Sequence, residues 1–263
     1  MNGTLAASAY LPNPPDPTAR LRLFCFHHAG GAASAFAGWQ AALGGGVSLV
    51  PVQLPGRERR IREARVTDMA RLVAELDDEL GPALTRPYAF YGHSMGAAVA
   101  YDLAQLRARR GERLPERLLV GAYPAPHLPS RLGPVVRLPD RELADWAVRL
   151  GGMSGELLRF PEWARTATAL LRDDLRICLS RRTAAEPPLD RPIDVFTGST
   201  DPLLPREDAV GWARHTTAGF RLSVIPGGHF FTAESRPEFL GRLRTVLADA
   251  GRAGGVGNVP ARF

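Results

Sequence analysis

Six short apolar runs recur along the chain: LRLFCF at 21–26, VSLVPVQL at 47–54, YAFYG at 88–92, RLLVGAY at 117–123, IDVFTG at 193–198 and FRLSVIP at 220–226. Each is long enough for one strand. Helical patterns fill most of the intervals, at Ala33–Leu43, Thr67–Leu84, Met95–Arg109, Glu207–Thr216 and Arg236–Ala250. Strands alternating with helices predict an α/β domain with a mainly parallel sheet and crossover helices. The domain is expected over 20–250, after a flexible leader at 1–19 and before a disordered tail at 251–263.

The alternation fails once. About seventy residues separate Tyr123 from Ile193, where a crossover needs roughly a dozen to thirty. An insertion over about 126–190 is therefore expected. Asp140 is a candidate N-cap for a helix carrying Leu143, Trp146, Ala147 and Leu150, stopped by Gly151-Gly152. A second helix is expected from about Glu162 to Ser180, with Ala167, Leu171, Leu175 and Cys178 on one side. Such a helical excursion after a strand reads as a lid over the carboxyl edge of the sheet, where open α/β sheets bind ligands.

Composition narrows the function classes. The N-terminus lacks a basic start followed by an apolar core, so no targeting peptide is indicated. No run approaches the ~18 apolar residues of a membrane span, and a cytoplasmic protein is expected. All 33 basic residues are arginine, and the formal charge is +6. Arginines are interspersed with acidic residues and lack aromatic neighbours in register, which argues against nucleic-acid binding. Cys25 and Cys178 have no paired spacing and read as free, buried thiols.

Chemistry concentrates around YGHSMGA at 91–97. A serine hydroxyl needs a histidine base, itself oriented by a carboxylate. Gly92 and Gly96 allow a turn from strand to helix so sharp that Ser94 projects above the sheet. On such a turn the triad partners follow in the order serine, acid, histidine. His27, His28 and His93 precede Ser94, and the His93 side chain is expected to leave the turn in another direction. His127 comes before any later strand that could deliver an acid, and His215 reads as an ordinary amphipathic helix position. His229, on a loop after the last strand, is the candidate base. Asp201, just beyond IDVFTG, is the candidate acid, whereas Asp194 and Asp208 read as structural or solvated. The N–H of Met95 is one candidate oxyanion donor. The loop HHAGGAAS at 27–34 supplies the other, Ala29 being favoured and Gly30 the close alternative. His27-His28 lacks the spacing and the neighbours of a metal site, so no metal is expected.

Taken together, these residues resemble the type II thioesterases, stand-alone editing hydrolases that accompany polyketide synthases and nonribosomal peptide synthetases. The resemblance runs from Leu21 to about Leu247. It rests on FHHAGGAAS at 26–34, LPGRERR at 54–60, YGHSMGA, LLRDDL at 170–175, GSTDPLLP at 198–205 and PGGHFF at 226–231. It implies an α/β-hydrolase fold with a helical lid, a monomer without a bound cofactor, and as partner an acyl or peptidyl carrier protein whose phosphopantetheine arm carries the acyl group. His27 stands where the family pattern has proline, Asp173 where it has alanine, and Leu179 and Arg181 where Glu and Tyr are expected. Asp174 interrupts an apolar helix side and reads as a buried hydrogen-bonding or ion-paired residue. Arg57 and Glu58 read as an ion-paired loop ahead of substrate contact. Rival readings are a product-releasing thioesterase or acyltransferase, a carboxylesterase or lipase on oxygen esters, and a carrier-binding scaffold without chemistry.

Overall fold

The computed structural model describes residues 8–182 and 186–253. Six strands, β1 (Leu21–Phe26), β2 (Val47–Pro51), β3 (Tyr88–His93), β4 (Leu118–Gly121), β5 (Ile193–Gly198) and β6 (Phe220–Ile225), form one sheet in the order β2-β1-β3-β4-β5-β6. Every pairing is parallel. β1, β3, β4 and β5 are buried along their whole length, as strands covered on both faces must be. The alternation of side chains along β1 divides the core: Leu21, Leu23 and Cys25 join one apolar cluster, Phe24 and Phe26 the other.

Helices α1 (Trp39–Leu43) and α9 (Arg236–Ala253) cover the first face, and α2 (Met69–Leu80) and α3 (Met95–Arg109) the second. α3 has the expected bounds. The expected helix at 33–43 is instead a 3-10 turn, Ala33–Phe36, and the short α1, because Gly38 adopts φ 80° between them. The helix expected at 207–216 likewise splits into α7 (Arg206–Val210) and a 3-10 turn, Gly211–His215. α9 covers the first three residues of the expected tail; the remainder of the tail and the first seven residues of the leader lie outside the described residues. From Ser8 the leader is docked. Tyr10 is buried, its hydroxyl donates to Glu75 at 2.9 Å and the Arg60 guanidinium stacks on its ring.

The insertion after β4 holds α4 (Gly133–Val136), α5 (Asp140–Leu150) and α6 (Pro161–Ser180). Asp140 is not the N-cap: Pro139 takes that place, and the Asp140 carboxylate instead pairs with Arg172 of α6 at 2.7 Å. Leu143, Ala147, Leu171 and Leu175 join α5 to α6 in a small apolar cluster of their own. The chain winds outward from β1 to β2 and then returns to β3 on the other side of β1. The carboxyl ends of β1 and β3 thus flank the point where strand order reverses, the usual ligand position in such sheets.

Candidate active site

Ser94 stands alone between the last residue of β3 and the first of α3. Its φ of 53° and ψ of −120° lie in a region that residues with a Cβ avoid. Its N–H donates to the Gly121 carbonyl at the end of β4 at 2.7 Å. Close backbone packing enforces the turn. A Cβ on Gly92 would lie 2.1 Å from the Gly96 oxygen, and one on Gly96 would lie 2.0 Å from the Phe26 oxygen.

His229 and Asp201 arrive on the loops after β6 and β5. The Ser94 hydroxyl donates to His229 Nε2 at 3.1 Å, and His229 Nδ1–H donates to Asp201 Oδ2 at 2.9 Å. The other Asp201 oxygen accepts the Leu203 N–H at 2.8 Å, which fixes the carboxylate. Both partner side chains are buried. Sequence reasoning missed Gly198, which lets these two loops meet: a Cβ there would lie 2.0 Å from the Gly228 oxygen. Its position at the end of a strand, just ahead of the acid loop, was the available signal.

The remaining histidines are otherwise engaged. His93 Nε2–H donates to the His229 carbonyl at 2.9 Å, and the Tyr91 hydroxyl donates to His93 Nδ1 at 3.2 Å. Burial, with His229 and His28 nearby, holds the His93 pKa well below the usual histidine range. The neutral ring stitches the serine turn to the base loop. His215 is not an amphipathic surface position. It is buried, accepts from Tyr101 at 3.0 Å and stacks on His127, to which it donates at 2.9 Å. Asp194 pairs with Arg117 at 2.5 Å, and Asp208, on the wall of the cavity that reaches Ser94, pairs with Arg131 at 3.0 Å.

Across the crevice, the carbonyl of His28 accepts from Gly31 N–H at 3.0 Å and from His27 Nδ1–H at 2.9 Å. In a trans peptide the N–H points opposite the C=O, so this double hold sets the direction of the Ala29 N–H. Gly30 N–H is already given to the Asp174 carboxylate at 2.7 Å, which removes the alternative donor. The His27 and His28 rings part company: burial and Arg57 depress the first, while the second lies edge-on to Phe230 at 4.8 Å between centroids.

Two cavities meet at Ser94 and His229 under the lid. One, of about 130 Å³, runs between Tyr123, Leu132, Val135 and Arg181; the other, of about 40 Å³, lies between Trp146, Leu171 and Phe230. Leu132, Cys178 and Leu203 border both. Arg181, one of the departures, is nearly buried. It pairs with Asp102 of α3 at 2.9 Å and donates to the Pro126 carbonyl at 3.1 Å, tying the two ends of the insertion to each other and to α3. The arrangement provides an activated hydroxyl, a directed amide and a mostly apolar chamber beside them, the parts needed for acyl transfer.

Comparison with known proteins agrees with this chemistry. Residues 21–247 match the thioesterase domain family model. The gramicidin S biosynthesis protein GrsT of Aneurinibacillus migulanus is 33% identical over 89% of this chain and 93% of its own length. Among solved structures, the RedJ thioesterase of the prodiginine pathway in Streptomyces coelicolor superimposes with a TM-score of 0.82 at 40% identity, covering 89% of each chain. The type II thioesterase BorB from the borrelidin cluster gives a TM-score of 0.80 at 35% identity over 91% of this chain and 95% of its own. This chain belongs to the thioesterase family, as a type II thioesterase of the kind found in polyketide and nonribosomal peptide pathways, and is a hydrolase of thioester bonds.

Proposed function

We propose that the enzyme removes aberrant acyl groups from the phosphopantetheine arm of an acyl or peptidyl carrier protein, acting as a cytoplasmic monomer. Ser94 is the nucleophile, His229 the base and Asp201 its orienting acid, with the Met95 and Ala29 N–H groups as oxyanion donors. The observation that carries this reading is the His229 ring, which bridges Ser94 at 3.1 Å and Asp201 at 2.9 Å.

His229 takes the Ser94 proton as Oγ attacks the thioester carbonyl. The carbonyl oxygen becomes an oxyanion between the two amides. The carbon–sulfur bond breaks, and the pantetheine sulfur leaves as a thiolate or takes the proton from His229. A thiol pKa of ~8.5 makes this an easy departure. Water, deprotonated by His229, then attacks the acyl-serine, and collapse of the second tetrahedral species releases the acid and restores Ser94. Asp201 holds the imidazole in the tautomer that accepts from serine and stabilises the imidazolium. The reaction needs no bound cofactor, since the pantetheine arrives on the substrate.

The test is hydrolysis of carrier-bound acyl thioesters against matched alcohol esters, and of misloaded against correctly loaded carriers. The reading expects thioesters to be preferred and misloaded carriers to be cleared at least as fast. A preference for alcohol esters would replace it with an esterase, and selective cleavage of one full-length product would replace editing with product release.

A further inference from the structure

Two motifs of the sequence have no part in the triad, LPGR at 54–57 and LLRDDL at 170–175, and in the fold they meet. Arg57 Nη1 and Nη2 donate to the two oxygens of Asp174 at 2.7 and 2.8 Å. The pair is out of water, with side-chain exposures of 4% and 0%. Neither charge is spent only on the other. Asp174 Oδ2 also accepts the Gly30 N–H at 2.7 Å, and Arg57 Nη1 also donates to the Gly31 carbonyl at 3.2 Å. Arg57 Nε is occupied by the Pro55 carbonyl at 3.2 Å. The loop that carries Ala29 is therefore gripped on its next two residues by a buried ion pair.

One half of that grip belongs to the lid. Asp174 lies on α6, and so does Leu171, one turn earlier, whose side chain would touch a Cβ placed on Gly30 at 3.6 Å. Gly30 itself has φ 78°, a conformation costly for any other residue, which the contact with α6 helps to hold. We infer that Arg57 and Asp174 are positioning residues for the oxyanion loop, and that α6 must be docked for the Ala29 N–H to be correctly aimed. Lid closure and oxyanion stabilisation are then one event: a substrate that seats the lid completes the site, and one that props it open leaves Ala29 unaimed.

This inference rests on the reaction proposed above, and its test separates the two. A buried ion pair can often be replaced by apolar residues without loss of stability, so the double variant Arg57→Met/Asp174→Leu removes the grip while keeping the fold. Turnover is measured on an acetyl carrier thioester and on p-nitrophenyl acetate, with thermal midpoints recorded alongside. The double variant is expected to lose about 100-fold in kcat on both substrates, the scale of one oxyanion donor, with KM within about threefold. A folded double variant that turns over within about threefold of the parent overturns the inference. A parent enzyme inactive on the thioester but active on the ester would count against the proposed function, while the ester ratios would still report on the loop.

Discussion

Around Ser94 backbone lies on backbone: Gly92 against Gly96, Gly96 against Phe26 and Gly198 against Gly228, each with no room for a methyl group. The lid is held differently. Four buried apolar side chains join its helices to each other, and α6 is tied to the rest by Ile177 and Cys178, which enter the main core, and by ion pairs made by Arg57, Arg65 and Arg181. Backbone contacts of the first kind have a single arrangement. Side-chain contacts of the second kind are released one at a time: the part-exposed Arg65–Asp173 pair exchanges with water at modest cost, and the buried Arg57–Asp174 pair is the one that resists. The proposed triad is thus built into the rigid part, whereas the chamber roof is built into the part that can move.

The largest expected effect is on the rigid side. Ser94→Ala should lower turnover by on the order of 10⁴-fold or more while leaving carrier binding within about twofold, as read by steady-state kinetics and titration of the carrier. Gly198→Ala adds one methyl group where none fits, so the acid and base loops must part. Turnover should fall by about 100-fold, and a variant near parental activity would show that the loops are not rigid.

The corresponding lid substitution, Leu143→Ala, should cost about 2–5 kcal/mol, but locally. Amide exchange in α5 and α6 should accelerate, while the main denaturant transition of the sheet stays in place. A shift of that main transition by the full amount would mean that lid and sheet unfold as one unit.

An effect of similar size comes from pH. Burial, with His229 and Arg57 beside it, pushes His28 down to about 4, and burial with His127 and Arg181 does the same to His215. An unfolded histidine titrates near 6.5, so the unfolded chain binds more protons between these values. Stability should be full above pH 6.5 and fall toward pH 4, with a slope of up to about 1.4 kcal/mol per pH unit for each ring. Denaturant midpoints across that range check it. Smallest of all, Arg165→Ala breaks an exposed ion pair with Glu162 on α6 and should change stability by less than about 0.5 kcal/mol in a thermal melt.

The sheet was legible because strands buried on both faces are written as unbroken apolar runs, and LRLFCF and IDVFTG match β1 and β5 residue for residue. The serine turn was legible because its glycines are dictated by local geometry. The wall of the chamber was not. From Tyr123 to Pro139 the chain carries five prolines and just the single-turn α4, so no periodicity marks Leu132 or Val135 as lining residues. The grip on the oxyanion loop joins positions 117 residues apart, and the separate motifs give no sign that they meet. His215 was misread because its burial depends on His127 and Tyr101, neither of which is near it in sequence. The missing cap at Asp140 has a local cause: proline supplied the extended residue ahead of α5, and the carboxylate was free to take Arg172.

Cys178 borders both cavities that reach Ser94. Exchange of an acyl group from one sulfur to another is close to balanced in energy, so a reactive thiol in this place would steal acyl groups from a thioester substrate and trap them as a dead-end thioester. Burial, with the Asp174 carboxylate nearby, pushes the Cys178 thiol up to about 12. At neutral pH it is almost wholly protonated, and a protonated sulfur is not a nucleophile. The chamber can therefore be furnished with a soft, space-filling sulfur and still leave only an oxygen to receive the acyl chain.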